Sequence, residues 1–137
     1  MSHCKVLQKN EFNSLIPELT VSNIEESKRF YTNLGFKIVY ERIENKFCFL
    51  QLEKNQIMIQ EKNGNWNTGE LKYPYGNGIN ISMQVSDVEK MFNDLKENKQ
   101  KFFLELEVQK YRVGKKFFED KEFLIQDPDG YLLRFNN

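Results

Sequence analysis

The stretch VSNIE at residues 21–25 recurs as VSDVE at residues 85–89, and this repeat is the strongest indication of the fold. The offset, 85 − 21, is 64 residues, about half of the 137-residue chain. Both copies follow a segment of alternating polar and apolar residues, and both open a segment with helical periodicity. Three more alternating segments follow each helix, as expected for strands. The sequence therefore predicts an α+β fold of two tandem βαβββ modules.

The first module is predicted at residues 13–62. Pro17 in its opening strand favours a sheet edge, because proline has no N–H to donate to a neighbour. Ser22 or Asn23 is expected to cap the helix, and Gly35 to end it. Strands are expected at 15–21, 36–42, 46–53 and 56–62, with a tight turn at Lys54-Asn55.

The second module is predicted at residues 78–137, after a loop at 63–77 that holds the only tryptophan. Ser86 or Asp87 is expected to cap its helix. The DPDG segment at 127–130 predicts a turn before the last strand, because proline presets φ and glycine accepts a positive φ. Strands are expected at 78–85, 102–113, 116–126 and 131–136.

Length and composition indicate a single domain at 13–137, preceded by an N-terminal tail or exchanged arm at 1–12. The net charge is zero, whereas nucleic-acid binders usually carry a basic surplus. The basic pair Lys115-Lys116 is expected to be solvated loop charge. No apolar segment approaches membrane-spanning length, and no apolar signal core is visible at the N-terminus. We therefore expect a cytoplasmic protein with neither nucleic acid nor membrane as a partner.

The sequence does not favour histidine or cysteine chemistry. The only histidine, His3, lies in the polar tail, so Ser-His-Asp and Cys-His catalysis are not expected. Cys4 and Cys48 are too few for a disulfide framework or a zinc site. Cys48 lies in an apolar run with no adjacent base, which indicates packing and not a nucleophile.

The strand that opens the second module carries two different faces. Its odd positions from 79 to 85 are apolar and are expected to lie under the helix, which leaves Asn80, Ser82 and Gln84 on the opposite face. Two interpretations are open for this polar face: the solvated side of a sheet, or one wall of a cavity of mixed polarity. A solvated face would usually carry Lys and Glu, so the composition favours a binding site.

Three segments of the chain resemble a known superfamily: residues 18–36 (ELTVSNIEESKRFYTNLGF), 79–88 and 123–135 (FLIQDPDGYLLRF). FYxxLGF followed at this spacing by DPDG is similar to the vicinal oxygen chelate superfamily of glyoxalases, bleomycin-resistance proteins and dioxygenases. The resemblance implies that paired βαβββ modules form a cup-shaped mixed sheet around a site. It covers the chain from about residue 14 to residue 136.

Metal-dependent members place their ligands at positions that correspond here to Ile16, Met58, Asn80 and Arg134. Isoleucine and methionine do not suit a hard divalent ion, and arginine is a fixed cation. The resemblance is therefore closest to the metal-free bleomycin-resistance branch, and neither a metal nor a cofactor is expected. It implies an antibiotic-resistance-like homodimer that sequesters a small-molecule ligand without chemistry. The zero net charge does not match a cationic drug such as bleomycin.

Arg134 and Glu18 are the most informative candidates. They can form an internal salt bridge, or Arg134 can bind a carboxylate or phosphate of the ligand. An alternative function is a metal-independent isomerase or lyase that uses Glu18 as general base with Arg134, and a third is an interaction module whose cup is only a scaffold. Trp66 can stack on a planar ligand or pack at a dimer interface. The predicted ligand-binding residues are Glu18, Phe49, Met58, Trp66, Asn80, Ser82, Glu122 and Arg134.

Overall fold

The structure is a computed structural model that describes residues 11–137. The chain divides into two units, one extending to Lys72 and the other running from Tyr73 to Asn137. Each unit holds one four-stranded mixed sheet and one α-helix. The predicted α+β class and the predicted pair of βαβββ modules are both confirmed.

The first module consists of β1 (Glu18–Val21), α1 (Ile24–Leu34), β2 (Lys37–Arg42), β3 (Phe47–Leu52) and β4 (Asn55–Glu61). Its strand order is β1-β4-β3-β2. β1 runs parallel to β4, whereas the other neighbours are antiparallel. The opening strand therefore lies at a sheet edge, as Pro17 predicted.

The second module consists of β5 (Asn80–Gln84), α2 (Val88–Glu97), β6 (Leu104–Val113), β7 (Lys116–Gln126) and β8 (Leu132–Asn136). Its strand order, β5-β8-β7-β6, is the order of the first module with each strand replaced by its counterpart. β5 and β8 are again the parallel pair. The sequence repeat therefore marks a repeated topology.

The helix ends form as the sequence predicts. Asn23 caps α1, since its side chain accepts a hydrogen bond from the Glu26 backbone N–H at 3.0 Å. Gly35 ends this helix at φ 111°, a left-handed conformation that side chains other than glycine rarely adopt. Asp87 caps α2 by accepting from the Lys90 N–H at 3.0 Å. Of the two cap residues predicted for each helix, the structure therefore uses Asn23 and not Ser22 for α1, and Asp87 and not Ser86 for α2.

The predicted turn between the third and fourth strands is displaced by one residue. Asn55 is the first residue of β4, so the turn consists of Glu53 and Lys54, and Glu53 has φ 52°. The register that buries Leu50 opposite Ile57 fixes this position, because a slip of one residue would turn both side chains away from the helix.

The opening strand of the first module is shorter than predicted. It begins at Glu18, and Leu15, the first residue of the predicted strand, lies outside it and is 81% exposed. The Met58 N–H donates to the Pro17 carbonyl at 2.9 Å, but proline cannot return a hydrogen bond to the ladder. Regular pairing and the alternation of faces therefore start after the proline.

The predicted tail at 1–12 overlaps only slightly with the described chain. Residues 1–10, which include His3 and Cys4, lie outside the described residues. The next residues are held on the first module, because the Gln56 side chain donates to the Glu11 carbonyl at 2.9 Å and accepts from the Asn13 N–H at 2.7 Å. These two hydrogen bonds link Glu11 and Asn13 to β4.

Each module buries the sheet face that carries its helix. Most of the helix and sheet side chains on this face are buried, and each buried large apolar side chain contributes about 1.5–3 kcal/mol to stability. The helices contribute Ile24, Tyr31 and Leu34 to the first module, and Val88, Phe92 and Leu95 to the second.

Residues 62–79 contain neither helix nor strand, which extends the loop predicted at 63–77 by a residue or two at each end. The division between the two units, after Lys72, falls within this loop. Within residues 11–137, neither helix combines the length and the apolar character that crossing a bilayer requires.

Candidate functional site

The second module has a polar face, defined as the side of its sheet opposite α2 and formed by Asn80, Ser82, Tyr111, Glu122 and Arg134. Along β5 and β8 these side chains alternate with side chains on the helix side, but Ile79, predicted under the helix, precedes β5 and is 64% exposed. Ser82 and Arg134 are direct partners in the parallel register of these two strands. The structure thus brings together four residues that the sequence predicted for the ligand site and adds Tyr111.

Tyr111, Glu122 and Arg134 form one hydrogen-bonded network. The Tyr111 hydroxyl donates to Glu122 Oε1 at 2.7 Å, and Arg134 Nη1 donates to the Tyr111 hydroxyl at 3.4 Å. Arg134 Nη1 also lies 3.8 Å from Glu122 Oε1, which makes an ion pair. Because Glu122 is only 5% exposed, its charge would be costly to bury without these partners. The network therefore compensates a buried carboxylate and fixes the arginine.

The Arg134 guanidinium has donors left for a ligand. Its side chain is 30% exposed, whereas its Nε atom is buried and has no hydrogen-bond partner among residues 11–137. Of the guanidinium nitrogens, a ligand can therefore reach only the two terminal ones. These two nitrogens can donate in parallel to the two oxygens of a carboxylate or to a phosphate.

Tyr111 serves the network as a donor. The hydrogen bond to Glu122 is the main cause that raises the pKa of Tyr111, with burial and the charge of Glu122 adding to it. Arg134 opposes this shift, because a nearby cation favours the tyrosinate. The raised pKa keeps the Tyr111 hydroxyl protonated at neutral pH, so it continues to donate to Glu122.

The β5 side chains complete the polar face. The Asn136 side chain donates to Ser82 Oγ at 2.8 Å, which leaves the Ser82 hydroxyl hydrogen for another acceptor. Asn80 is exposed at the start of the strand, two residues from Ser82 on the same side. Neutral donors and acceptors thus lie beside the arginine.

The first module has an aromatic face on the corresponding side of its sheet. It is a hydrophobic cluster of Val39, Phe47 and Phe49, against which further apolar side chains pack. Tyr40 stacks on Phe49 with 5.2 Å between ring centroids, and the Arg42 guanidinium lies 4.0 Å from the centroid of Phe47. The side chains that pack against the cluster are Phe12, Ile16, Tyr40 and Met58.

Three predicted ligand-binding residues lie on or beside this aromatic face. Glu18, Met58 and Phe49 are consecutive partners across β1, β4 and β3, so they share one side of the sheet. Glu18 is exposed and Met58 is half-buried. Phe49 is 1% exposed and packs edge-on against Phe12 at 5.4 Å, so its ring belongs to the core of the module.

Trp66 is on neither face, and Glu18 and Arg134 are not paired within one module. Trp66 is 80% exposed in the loop, with a left-handed φ of 63°. Glu18 belongs to the first unit and Arg134 to the second. The partner of Arg134 within its own unit is Glu122.

A cavity of about 280 Å³ lies elsewhere in the first module, beside the start of α1. Its charged lining groups are already matched. Lys28 Nζ lies 2.9 Å from Glu41, and Lys46 Nζ lies 2.9 Å from Glu61. Lys28 connects α1 to β2, and Glu61 also accepts a hydrogen bond from the Ile24 N–H at the start of α1, so we assign the cavity to the structure of the module.

The sequence matches the Glyoxalase/Bleomycin resistance protein/Dioxygenase superfamily over residues 12–135. The chain belongs to this superfamily. The predicted resemblance to it is thus confirmed. No functionally curated protein matches the sequence.

Solved structures of superfamily members are similar to this chain. A member from Vibrio splendidus 12B01 is 31% identical, with 87% of this chain and 93% of that chain covered and a TM-score of 0.40. A member from Alicyclobacillus acidocaldarius is 20% identical, with 94% and 93% covered and a TM-score of 0.65. A bleomycin-binding protein in complex with bleomycin is 18% identical, with 92% and 98% covered and a TM-score of 0.64. The last two likenesses show the superfamily fold.

The positions at which metal-dependent members of the superfamily are expected to hold ligands do not fit a divalent ion in this chain. Ile16 and Met58 pack against the aromatic cluster, and Arg134 is a cation in an ion pair. Asn80 is the one neutral oxygen donor of the four. Within residues 11–137, no three His, Cys, Asp or Glu side chains are grouped so that they could hold a metal ion.

Two residues that matter for these faces were missed in the sequence. Tyr111 and Glu122 lie on one face of the unbroken β6–β7 hairpin, but the register partner of Tyr111 is Phe118, so strand pairing alone gives no sequence signal for the contact with Glu122. Phe12 packs on the aromatic face, although it was placed in the tail. An aromatic residue close to the first strand was the available signal for Phe12.

Proposed function

We propose that this chain is a small-molecule binding protein that sequesters its ligand, and that Arg134 binds an anionic group of that ligand. The observation that carries the proposal is the Arg134 guanidinium, fixed on the polar face by Glu122 and Tyr111. A fixed guanidinium binds planar carboxylates and phosphates with defined geometry. Ser82 and Asn80 lie beside it and can bind neutral polar groups of the same ligand.

The proposed ligand differs in charge from bleomycin. The bleomycin-binding protein shares the fold at 18% identity, and that likeness says nothing about the ligand of this chain. An arginine with free terminal donors suits an anion, and the chain has no net negative charge that would attract a cation. The proposal assigns no role to a metal ion, because Ile16 and Met58 cannot act as ligands to a hard cation.

The proposal extends to assembly as a homodimer, which the resemblance to the bleomycin-resistance branch implies. Light scattering of the full chain at several concentrations measures this directly. A mass of twice 16.4 kDa is expected. A mass of one chain at all concentrations would contradict the dimer without affecting the assignment of Arg134.

A thermal-shift screen tests ligand binding. Metal-stripped protein is screened against small carboxylates and phosphate esters and, separately, against divalent ions. A ligand at about a hundredfold excess over its dissociation constant adds about 2.7 kcal/mol to the free energy of unfolding, which corresponds to roughly 10 °C in the melting temperature. Arg134→Gln is expected to weaken binding about 10- to 100-fold, because a charge-assisted hydrogen bond is lost.

Arg29→Gln is the matched control, because it removes the same charge from an exposed position on α1. It is expected to leave the ligand shift unchanged. The ligand should be recovered intact after incubation, as mass spectrometry of the released compound can show. Strong stabilisation by a divalent ion alone, or steady conversion of the ligand, would contradict sequestration without metal or chemistry.

A further inference from the structure

The hairpin of β6 and β7 extends beyond the rest of its sheet. β8 pairs with β7 only from Glu122 to Gln126, whereas β7 continues back to Lys116 and pairs there with β6. Six residues of β7 before Glu122 correspond to a length of roughly 20 Å. Two-stranded ribbons of this kind are only marginally stable by themselves. We call residues 110–118, which surround the turn at Gly114, the hairpin tip.

The hairpin tip has an unusual composition for a protein with no net charge. Its sequence, KYRVGKKFF, contains four basic residues and no acidic one. Every residue in it is exposed. The exposed apolar side chains are Tyr111 at 37%, Val113 at 64%, Phe117 at 69% and Phe118 at 51%. Contiguous exposed aromatic groups of this size usually mark an interaction surface.

Both faces of the hairpin tip carry apolar and basic side chains. The register pairs Tyr111 with Phe118 and Val113 with Lys116, so these four lie on one face. Phe117 lies on the other face, opposite Arg112. The apolar groups therefore surround the tip and do not form one flat platform.

We propose that the hairpin tip docks on the surface of an anionic lipid bilayer. Phe117, Phe118 and Val113 would enter the boundary between headgroups and acyl chains, as apolar side chains of interfacial elements do. The four basic side chains would lie at the level of the lipid phosphates, where each contributes favourably to binding. This proposal is independent of the ligand proposed for Arg134. It replaces the expectation from the sequence that no membrane is a partner, because that expectation rested on the absence of a membrane-spanning segment, which surface docking does not need.

The chemistry of the tip favours a lipid surface over two other partners. Single-stranded nucleic acid stacks its bases on aromatic platforms, but here Phe117 and Phe118 point to opposite faces. A second copy of the tip would bring four more basic side chains against the first four, which is repulsive. Glu119, next to the tip, pairs with Lys110 at 3.9 Å. Because both side chains are largely exposed, this ion pair compensates little of the positive charge of the hairpin tip.

Vesicle co-sedimentation of the full chain tests the proposal. Vesicles of equal parts phosphatidylglycerol and phosphatidylcholine are compared with vesicles of phosphatidylcholine alone. Binding is expected only to the anionic vesicles, and it should weaken as salt is raised. Lys115→Gln with Lys116→Gln is expected to weaken binding about 30-fold, which corresponds to the contribution of two basic residues near an anionic surface. Phe117→Ser with Phe118→Ser should weaken it at least about tenfold.

Matched controls separate the tip from total charge and total apolar surface. The charge control is Lys99→Gln with Lys101→Gln, which removes the same charge from exposed positions outside the tip. The apolar control is Phe103→Ser, which removes an aromatic ring that is 62% exposed. Both controls are expected to bind the anionic vesicles within about threefold of the unchanged protein. A circular-dichroism melt checks that every variant is folded.

A fluorescent reporter tests insertion of the tip itself. In a Trp66→Phe background, Phe117→Trp places the only tryptophan at the tip. Its emission is expected to shift to shorter wavelength with anionic vesicles and to be quenched by lipids with brominated acyl chains. Equal binding to neutral vesicles, equal effects of tip and control variants, or no emission change would overturn the proposal. Retention of the protein by single-stranded RNA but not by vesicles would overturn it in favour of nucleic acid.

Discussion

The two modules have the same topology but opposite chemistry on corresponding positions of their open faces. Met58 in β4 is the direct partner of Glu18 in β1, and Arg134 in β8 is the direct partner of Ser82 in β5. Met58 and Arg134 are therefore at equivalent positions if Glu18 and Ser82 are. The repeat offset of 64 residues relates Glu18 to Ser82. One position thus holds an apolar side chain in the first module and a cation in the second.

The next pair of register partners on the same face differs in the same way. Phe47 pairs with Gln60 in the first module, and Glu122 pairs with Asn136 in the second. Phe47 is 3% exposed and Glu122 is 5% exposed, so both positions are buried. The first module therefore has a buried ring where the second has a buried carboxylate. The carboxylate of Glu122 needs a cation beside it, and Arg134, at the position equivalent to Met58, supplies that cation.

This difference shows which parts of the repeat are constrained by folding. The helix faces of both sheets are apolar, because each must exclude water between helix and sheet. The open faces carry no such requirement. In the first module Phe12 covers the open face and turns it into a second core layer, whereas in the second module Arg134 keeps 30% of its side-chain surface in contact with solvent.

The largest expected effect is on the aromatic face. Phe49→Ala removes a ring that is 1% exposed and contacts both Phe12 and Tyr40, so it should reduce the free energy of unfolding by about 3–5 kcal/mol. Phe118→Ala, at a ring that is 51% exposed, is the matched control and should change it by about 0.5 kcal/mol or less. Urea denaturation followed by circular dichroism measures both. A loss below about 1 kcal/mol for Phe49→Ala would mean that the face is open and that Phe49 is available to a ligand.

A smaller effect is expected on the polar face. Glu122→Ala leaves the Tyr111 hydroxyl without its acceptor and Arg134 without its carboxylate, and should cost about 1–3 kcal/mol of stability. Glu119→Ala is the control, because Glu119 forms only an exposed pair at 3.9 Å and should be worth about 0.5 kcal/mol or less.

Transplanting the first module's residues sharpens this comparison. Glu122→Phe with Arg134→Met copies the equivalent residues of the first module into the second. The double variant should be more stable than Glu122→Ala, because no half-buried cation is left without a partner. It should also lose ligand binding. If it were less stable than the single variant, the two faces would differ in backbone geometry as well as in side chains.

The fold could be predicted because its signals are local. The caps at Asn23 and Asp87, the glycine at Gly35 and the DPDG turn each specify one boundary by their own conformational preferences. Strand alternation then assigns each side chain to one face. This is why Ser82 and Arg134 could be placed on one side of a sheet before their register was known.

The site could be predicted only in part because its remaining contacts depend on register and on distant segments. Tyr111 joins Glu122 along the face of the β6–β7 hairpin although its register partner is Phe118, and no residue type indicates that contact. Phe49 is buried by Phe12, which is 37 positions away in the sequence (49 − 12), so alternation alone could not distinguish a ligand wall from a core layer.

The smallest expected effect on stability concerns the hydrogen bonds between the start of each helix and its own sheet. In the first module Glu61, at the end of β4, accepts a hydrogen bond from the Ile24 N–H at 3.1 Å and pairs with Lys46 at 2.9 Å. In the second module the equivalent register position is Asn137, whose side chain instead accepts from the Lys121 N–H at 2.9 Å. The start of α1 therefore depends on a titratable group supplied by its own sheet.

This dependence predicts an acid-sensitive contact in the first module. The hydrogen bond from Lys46, followed by that from the Ile24 N–H, lowers the pKa of Glu61 below its ordinary value. The stability that Glu61 contributes is thus complete above the ordinary carboxyl pKa and is lost as pH falls through the lowered one. Glu61→Gln should cost about 0.5–1 kcal/mol at neutral pH and progressively less in acid. Hydrogen exchange of α1 amides measures this, with Glu70→Gln, at an exposed loop pair, expected to show no pH-dependent difference. An equal loss at every pH would contradict a stabilising role for the charge of Glu61.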